Sequence, residues 1–217
     1  KLGMKIDWTT NGVQLFKRNA PPVHSVYSPE YIADVKKRIG PVLGDVKKLE
    51  HPNTIFPFMD EPFHADTTAF DYSAPTAVAF KKQYGYAMPA SYSAAKSDPR
   101  KHLDFINFQA KTFVAAWKQI YKEVKAFDPR PQIVMTHDSH STMGGGVESD
   151  SRIAIDDIFH WGGDFADMFL YDIYPYTMFD YRYGEYGKLP KPRISQTHYT
   201  MAQMRNLTTT YHKKLGF

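Results

Sequence analysis

Cysteine is absent from the 217 residues, which removes disulfides, thiolate nucleophiles and sulfur metal ligands at once and leaves the redox compartment open. No apolar run approaches the roughly 18 residues of a membrane-spanning helix, and the N-terminus lacks the basic, apolar, small-residue order of a signal peptide. A membrane partner is therefore not expected. Lys and Arg number 27 against 23 Asp and Glu, a formal net charge of +4, and they are scattered rather than gathered into a dense basic run. Nucleic acid is accordingly a poor candidate partner. What is plentiful is aromatic: fifteen Tyr and fifteen Phe contribute to an aromatic content of 15%. Sugar-binding clefts stack the apolar faces of pyranose rings on such side chains, although most aromatic residues fill cores.

The order of elements is legible from periodicity and punctuation. Residues 3 to 8 read as a short strand, and a helix then enters through Ser28, Pro29 and Glu30. Its apolar positions, Ile32, Val35, Ile39, Val42, Val46 and Leu49, recur at three- and four-residue steps, with Pro41 expected to kink or split it. Residues 54 to 59 read as a strand, 74 to 84 as a short helix and 103 to 127 as a long one. Further strands are expected at 132 to 136 and 166 to 171, with helices from about 153 to 160 and from 196 to 215. Alternating strands and helices imply a parallel sheet.

Polar residues gather at three successive strand exits. The first is Asp60-Glu61-Pro62, behind the apolar run Thr54 to Phe58. A Glu beside another carboxylate at a partly desolvated strand end has the raised pKa that a proton donor at neutral pH requires. Glu61 is thus the candidate general acid, with Asp60 beside it. His137, Asp138 and His140 follow the second exit, and Asp172, Tyr174, Pro175 and Tyr176 follow the third. His137, Asp138, Asp172, Tyr174 and Tyr176 are the candidate substrate-binding residues. Two imidazoles and a carboxylate so close together also fit a metal, but no distant further ligand is identifiable, so neither metal nor other cofactor is expected. Polar exits of this kind favour a (β/α)8 TIM barrel over a compact open sheet. Only about four strands are visible, so the chain is expected to be the central part of one barrel, its third to sixth strands. No internal domain boundary is expected over 1–217, and the remaining strands would come from the rest of the protein.

At this point the chain resembles the clan A glycoside hydrolases, and most nearly the family 42 β-galactosidase type. The resemblance runs over roughly residues 28 to 217. It rests on Ser28-Pro29-Glu30-Tyr31, Asp60-Glu61-Pro62, Ala79-Phe80 with Gln83-Tyr84-Gly85, Asp104-Phe105, Phe108-Gln109, and the Asp172 to Pro175 string. It implies a retaining hydrolase of β-linked, galactoside-like oligo- or polysaccharides, with Glu61 as general acid/base and a nucleophilic Glu on a later strand beyond residue 217. A secreted or periplasmic location is favoured over a cytoplasmic one. One departure stands out: such enzymes usually carry Asn directly before the acid/base Glu, where this chain has Asp60. An Asp-Glu pair resembles instead the hexosaminidases that use the substrate's own acetamido group as nucleophile. A barrel that binds carbohydrate without turnover is the rival from outside enzymology.

Overall fold

The computed structural model describes residues 7–9, 24–48, 54–56, 70–138, 164–172 and, apart from 203 and 207, 201–216. Their elements run β1 (Asp7–Thr9), α1 (Glu30–Lys47), β2 (Thr54–Phe56), α2 (Ala74–Tyr84), α3 (Tyr92–Lys96), α4 (Pro99–Phe127), β3 (Gln132–Asp138), β4 (Met168–Asp172) and β5 (Lys214–Gly216). All strand pairs are parallel, and the sheet order follows the chain, β1-β2-β3-β4-β5.

This arrangement corrects the expected (β/α)8 barrel. Among the described residues β1 and β5 are the free edges of an open sheet, with no pairing that closes it. Helices dominate: α1 and α4 hold 18 and 29 residues, whereas β1, β2 and β5 hold only 3 each. Closing a barrel takes tilted, staggered strands in a complete ring, and such short strands do not supply it. The misleading signal was the polar strand exits, which open parallel sheets share with barrels because ligands bind at the carboxyl ends of both.

Helix α4 organises the packing. It begins earlier than its apolar periodicity, because the Asp98 carboxylate accepts from the backbone N–H groups of Arg100 (3.0 Å) and Lys101 (3.3 Å) and Pro99 fits the first position. Phe105, Phe108, Phe113, Trp117, Ile120 and Val124 then form one buried stripe. α1 lies alongside in the same direction. Tyr31 Oη donates to the Ala116 carbonyl at 3.3 Å, Lys36 pairs with Glu123 at 3.3 Å, and Arg130 reaches the Lys47 carbonyl at 3.2 Å. α1 runs unbroken through Pro41, which sits on the exposed side, where water can satisfy the carbonyl that loses its donor.

Ile133 and Met135 of β3 and Phe169 of β4 join the core under α4, where Trp117 meets Phe165 at 5.4 Å. Val134 alternates to the opposite face and is still only 1% exposed, so β3 is covered on both sides, as parallel strands usually are. The expected helix over 196 to 215 is also corrected. Helical residues reach Thr210, and β5 follows. His212 adopts a left-handed φ of 54°, with its N–H on the Thr209 carbonyl and that of Lys213 on the Thr208 carbonyl, the Schellman pattern that stops a helix.

Asp167 joins α4 to the amino edge of the sheet. Its carboxylate accepts from Tyr121 Oη at 2.7 Å, Ile133 N–H at 2.9 Å and Lys125 Nζ at 2.5 Å. Burial alone would raise its pKa, but these three donors together hold it below the ordinary value. A depressed carboxylate stabilises the fold fully above its unfolded pKa of about 4 and loses that contribution as pH falls through the folded value. Asp167→Asn should therefore lower the urea midpoint at pH 7, with the gap to the parent closing as pH approaches about 3. Parallel midpoints across that range would sink this account.

Candidate functional site

Because all five strands point the same way, their carboxyl ends share one edge, the usual ligand side of an open parallel sheet. The register places the last residues of β3 and β4, Asp138 and Asp172, directly opposite each other, with His137 and Tyr171 one row below. Three of the residues singled out in the sequence are thus brought together at backbone level. β2 pairs with β3 and ends at Phe56, and Asp60 and Glu61 follow it in the chain. Asp60, Glu61, Tyr174 and Tyr176 lie outside the described residues, as do His140 and the expected helix at 153 to 160.

Sequence reasoning missed a second set of residues, on α4 and the segments that cover it. α4 leads by a short turn into β3, so it runs antiparallel to the strands, and its length of about 43 Å far exceeds the roughly 23 Å of β3. Trp117 packs beside Phe165, just before β4 begins. Phe108 stands about 13 Å further along the helix, over the beginning of β4, whose end at Asp172 lies about 23 Å from the level of Phe165.

A buried polar cluster sits there. Gln109, 1% exposed on an otherwise aromatic helix face, donates through Nε2 to the Asp71 carbonyl and accepts from the Asp71 N–H, both at 3.0 Å. This two-point amide contact holds the segment entering α2. The Asp71 carboxylate, in a residue only 4% exposed, accepts from Ser73 N–H at 2.8 Å and Thr76 Oγ1 at 2.5 Å. With its proton committed to Asp71, Thr76 can only accept from Ser25, 2.6 Å away. Thr112 donates to the Phe108 carbonyl at 2.8 Å, so the Tyr27 hydroxyl, 3.1 Å from Thr112 Oγ1, is the donor in that pair.

No cation bonds Asp71 among the described residues; its negative charge is met by hydroxyl and amide donors and by the positive end of α2. Burial raises the Tyr27 hydroxyl pKa, the Thr112 bond opposes that, and the Asp71 charge adds to the rise. Tyr86, hydrogen-bonded to Asp104 at 2.9 Å, is pushed up to about 12, first by burial and then by that carboxylate. These phenols stay protonated and act as donors at any ordinary pH. The signal that would have found the cluster was Gln109 itself, an uncharged polar residue at a core position of the α4 stripe. Among the described residues no group of three or more His, Asp or Glu is placed to hold a metal ion.

Gln109→Ala should leave the Asp71 N–H and C=O unpaired in a buried place and lower stability by about 2 kcal/mol in chemical denaturation. A loss under about 0.5 kcal/mol would show that the two-point contact is not what fixes this segment. A scan against models of known families, a search of curated proteins and a search of solved structures each return no match for this chain.

Proposed function

We propose that the chain is a glycoside hydrolase working at the carboxyl edge of its sheet, with Glu61 protonating the departing sugar oxygen. The observation that carries this is the placement of acids on neighbouring strands: Asp138 and Asp172 stand opposite each other at the ends of β3 and β4, and Asp60-Glu61 follows β2, the other neighbour of β3. Cleavage of a glycosidic bond uses two carboxyl groups, one giving a proton and the other attacking the anomeric carbon or activating water.

The resemblance implied a nucleophilic Glu on a later barrel strand beyond residue 217; with the sheet open, the second carboxyl we propose is an acid ending one of the strands of this chain. Retention requires two carboxyl groups roughly 5 to 5.5 Å apart and inversion roughly 6.5 to 9.5 Å. In the sheet β3, ending in Asp138, is the neighbour of β2, and β4, ending in Asp172, lies one strand further. Asp138 is accordingly the favoured nucleophile, with Asp172 and His137 binding sugar hydroxyls. The Asp60-Glu61 pair supports one competing mechanism, in which Asp60 orients a substrate acetamido group; that route demands a 2-acetamido sugar.

Glu61→Gln should reduce turnover of an aryl β-galactoside by about 100-fold or more, and Asp138→Asn comparably, while Asp172→Asn should mainly raise KM. Product followed by NMR should keep the β configuration. Near-normal turnover by Glu61→Gln would overturn the assignment, and strict dependence on N-acetylated substrates would transfer it to the substrate-assisted mechanism.

A further inference from the structure

A primary amide carries two N–H donors and one carbonyl acceptor. In the buried Gln109 their orientation is fixed by Asp71, because the Asp71 N–H can only meet Oε1 and the Asp71 carbonyl can only meet Nε2, each at 3.0 Å. One Nε2 hydrogen is thereby used. Among the described residues the partner of the other is the thioether of Met88, whose Sδ lies 3.9 Å from Nε2. A thioether is a weak acceptor, so a buried donor that would bond strongly to oxygen is met here by sulfur. Met88 is packed against the core yet only half-buried, whereas Met135 and Met204 are shut off from solvent. An oxidant in solution therefore has access to Met88 that it lacks to those two.

We propose that Met88 is a site of oxidation by peroxide, and that its sulfoxide oxygen accepts the second Gln109 hydrogen, so that oxidation tightens the hold of α4 on the segment entering α2. The step balances. The peroxide O–O bond breaks, one oxygen bonds to Sδ, the sulfur gives up two electrons, and the other oxygen leaves as water. Oxidation of a packed methionine ordinarily disrupts its surroundings, because a polar oxygen enters an apolar place without a donor. Here a donor stands 3.9 Å from the sulfur, near enough for an oxygen borne by that sulfur to come within the about 2.7 to 3.2 Å of a hydrogen bond. The sulfoxide is neutral, so it supplies an acceptor without setting a charge beside the buried Asp71 carboxylate. The inference goes beyond the hydrolase reading and does not depend on it.

The test treats the full chain and its Met88→Leu variant with hydrogen peroxide under native conditions, maps the sulfoxides by peptide mass spectrometry, and unfolds both proteins in urea before and after treatment. Met88 should be converted along with the exposed Met201, ahead of Met135 and Met204. Oxidation at other positions acts on both proteins alike, so the difference between their responses belongs to Met88. That difference should be stabilising, lowering the unfolding constant roughly fivefold, and methionine sulfoxide reductases should reverse it. In a Gln109→Leu background its sign should invert, since the oxygen then lacks its donor. If that background does not fold, the Gln109 side-chain amide of the parent decides by NMR: one of its two hydrogens should move downfield on oxidation and exchange more slowly. Met88 remaining reduced while Met201 is converted would overturn the proposal. So would a destabilising Met88 contribution, one indifferent to Gln109→Leu, or an amide signal that stays where it was.

Discussion

Burial of one continuous apolar stripe along α4 is the constraint on which the rest of the molecule depends. The lower half of that stripe, Trp117, Ile120 and Val124, seats the helix near Phe165 and Phe169 and alongside α1. The upper half, Phe105 and Phe108, is covered by aromatic rings from the segments around residues 27, 70, 80 and 84. One helix therefore performs two tasks. Its carboxyl half packs near the strands and α1, and its amino half holds the segments around α2 and α3, which is why the Asp98 cap matters as much as the apolar spacing.

The amino edge of the sheet pairs its charges. At the amino edge Asp167 has Lys125 and Tyr121 as partners, and Asp164 pairs with Lys118 at 3.0 Å. Lys213 lies between these carboxylates; burial lowers its pKa while Asp164 and Asp167 pull the other way. Charges so compensated stabilise local geometry and leave little field for a ligand. The carboxyl edge differs in composition, with Asp138 and Asp172 closing β3 and β4.

How much of this was legible depended on whether the signal was local. α2 occupies the span read from its periodicity, and Gly85, at φ 81°, ends it where a residue without Cβ is needed. β3 was found but ends two residues later than read, because His137 and Asp138 look like loop by composition while their backbones pair with β4. α3 was missed, being only 5 residues with its Ser91 cap as the sole cue. The closure of the sheet was misjudged for a deeper reason: strand exits carry polar residues whether or not the sheet closes, and no local pattern counts the strands. Of the candidate site, the Asp138 and Asp172 pairing agrees with the strand exits, whereas Asp71, Gln109 and Tyr27 came together only through tertiary packing between segments far apart in sequence.

The open sheet also changes what the strand-end acids can be asked to do. In a closed ring, side chains from opposite strands converge on a central axis, and partners several strands apart can act on one bond. In an open sheet the only short separations are between neighbours, so reactive partners must come from adjacent strands or from a covering segment. The order β2-β3-β4 satisfies that demand with acids following or ending each of the three.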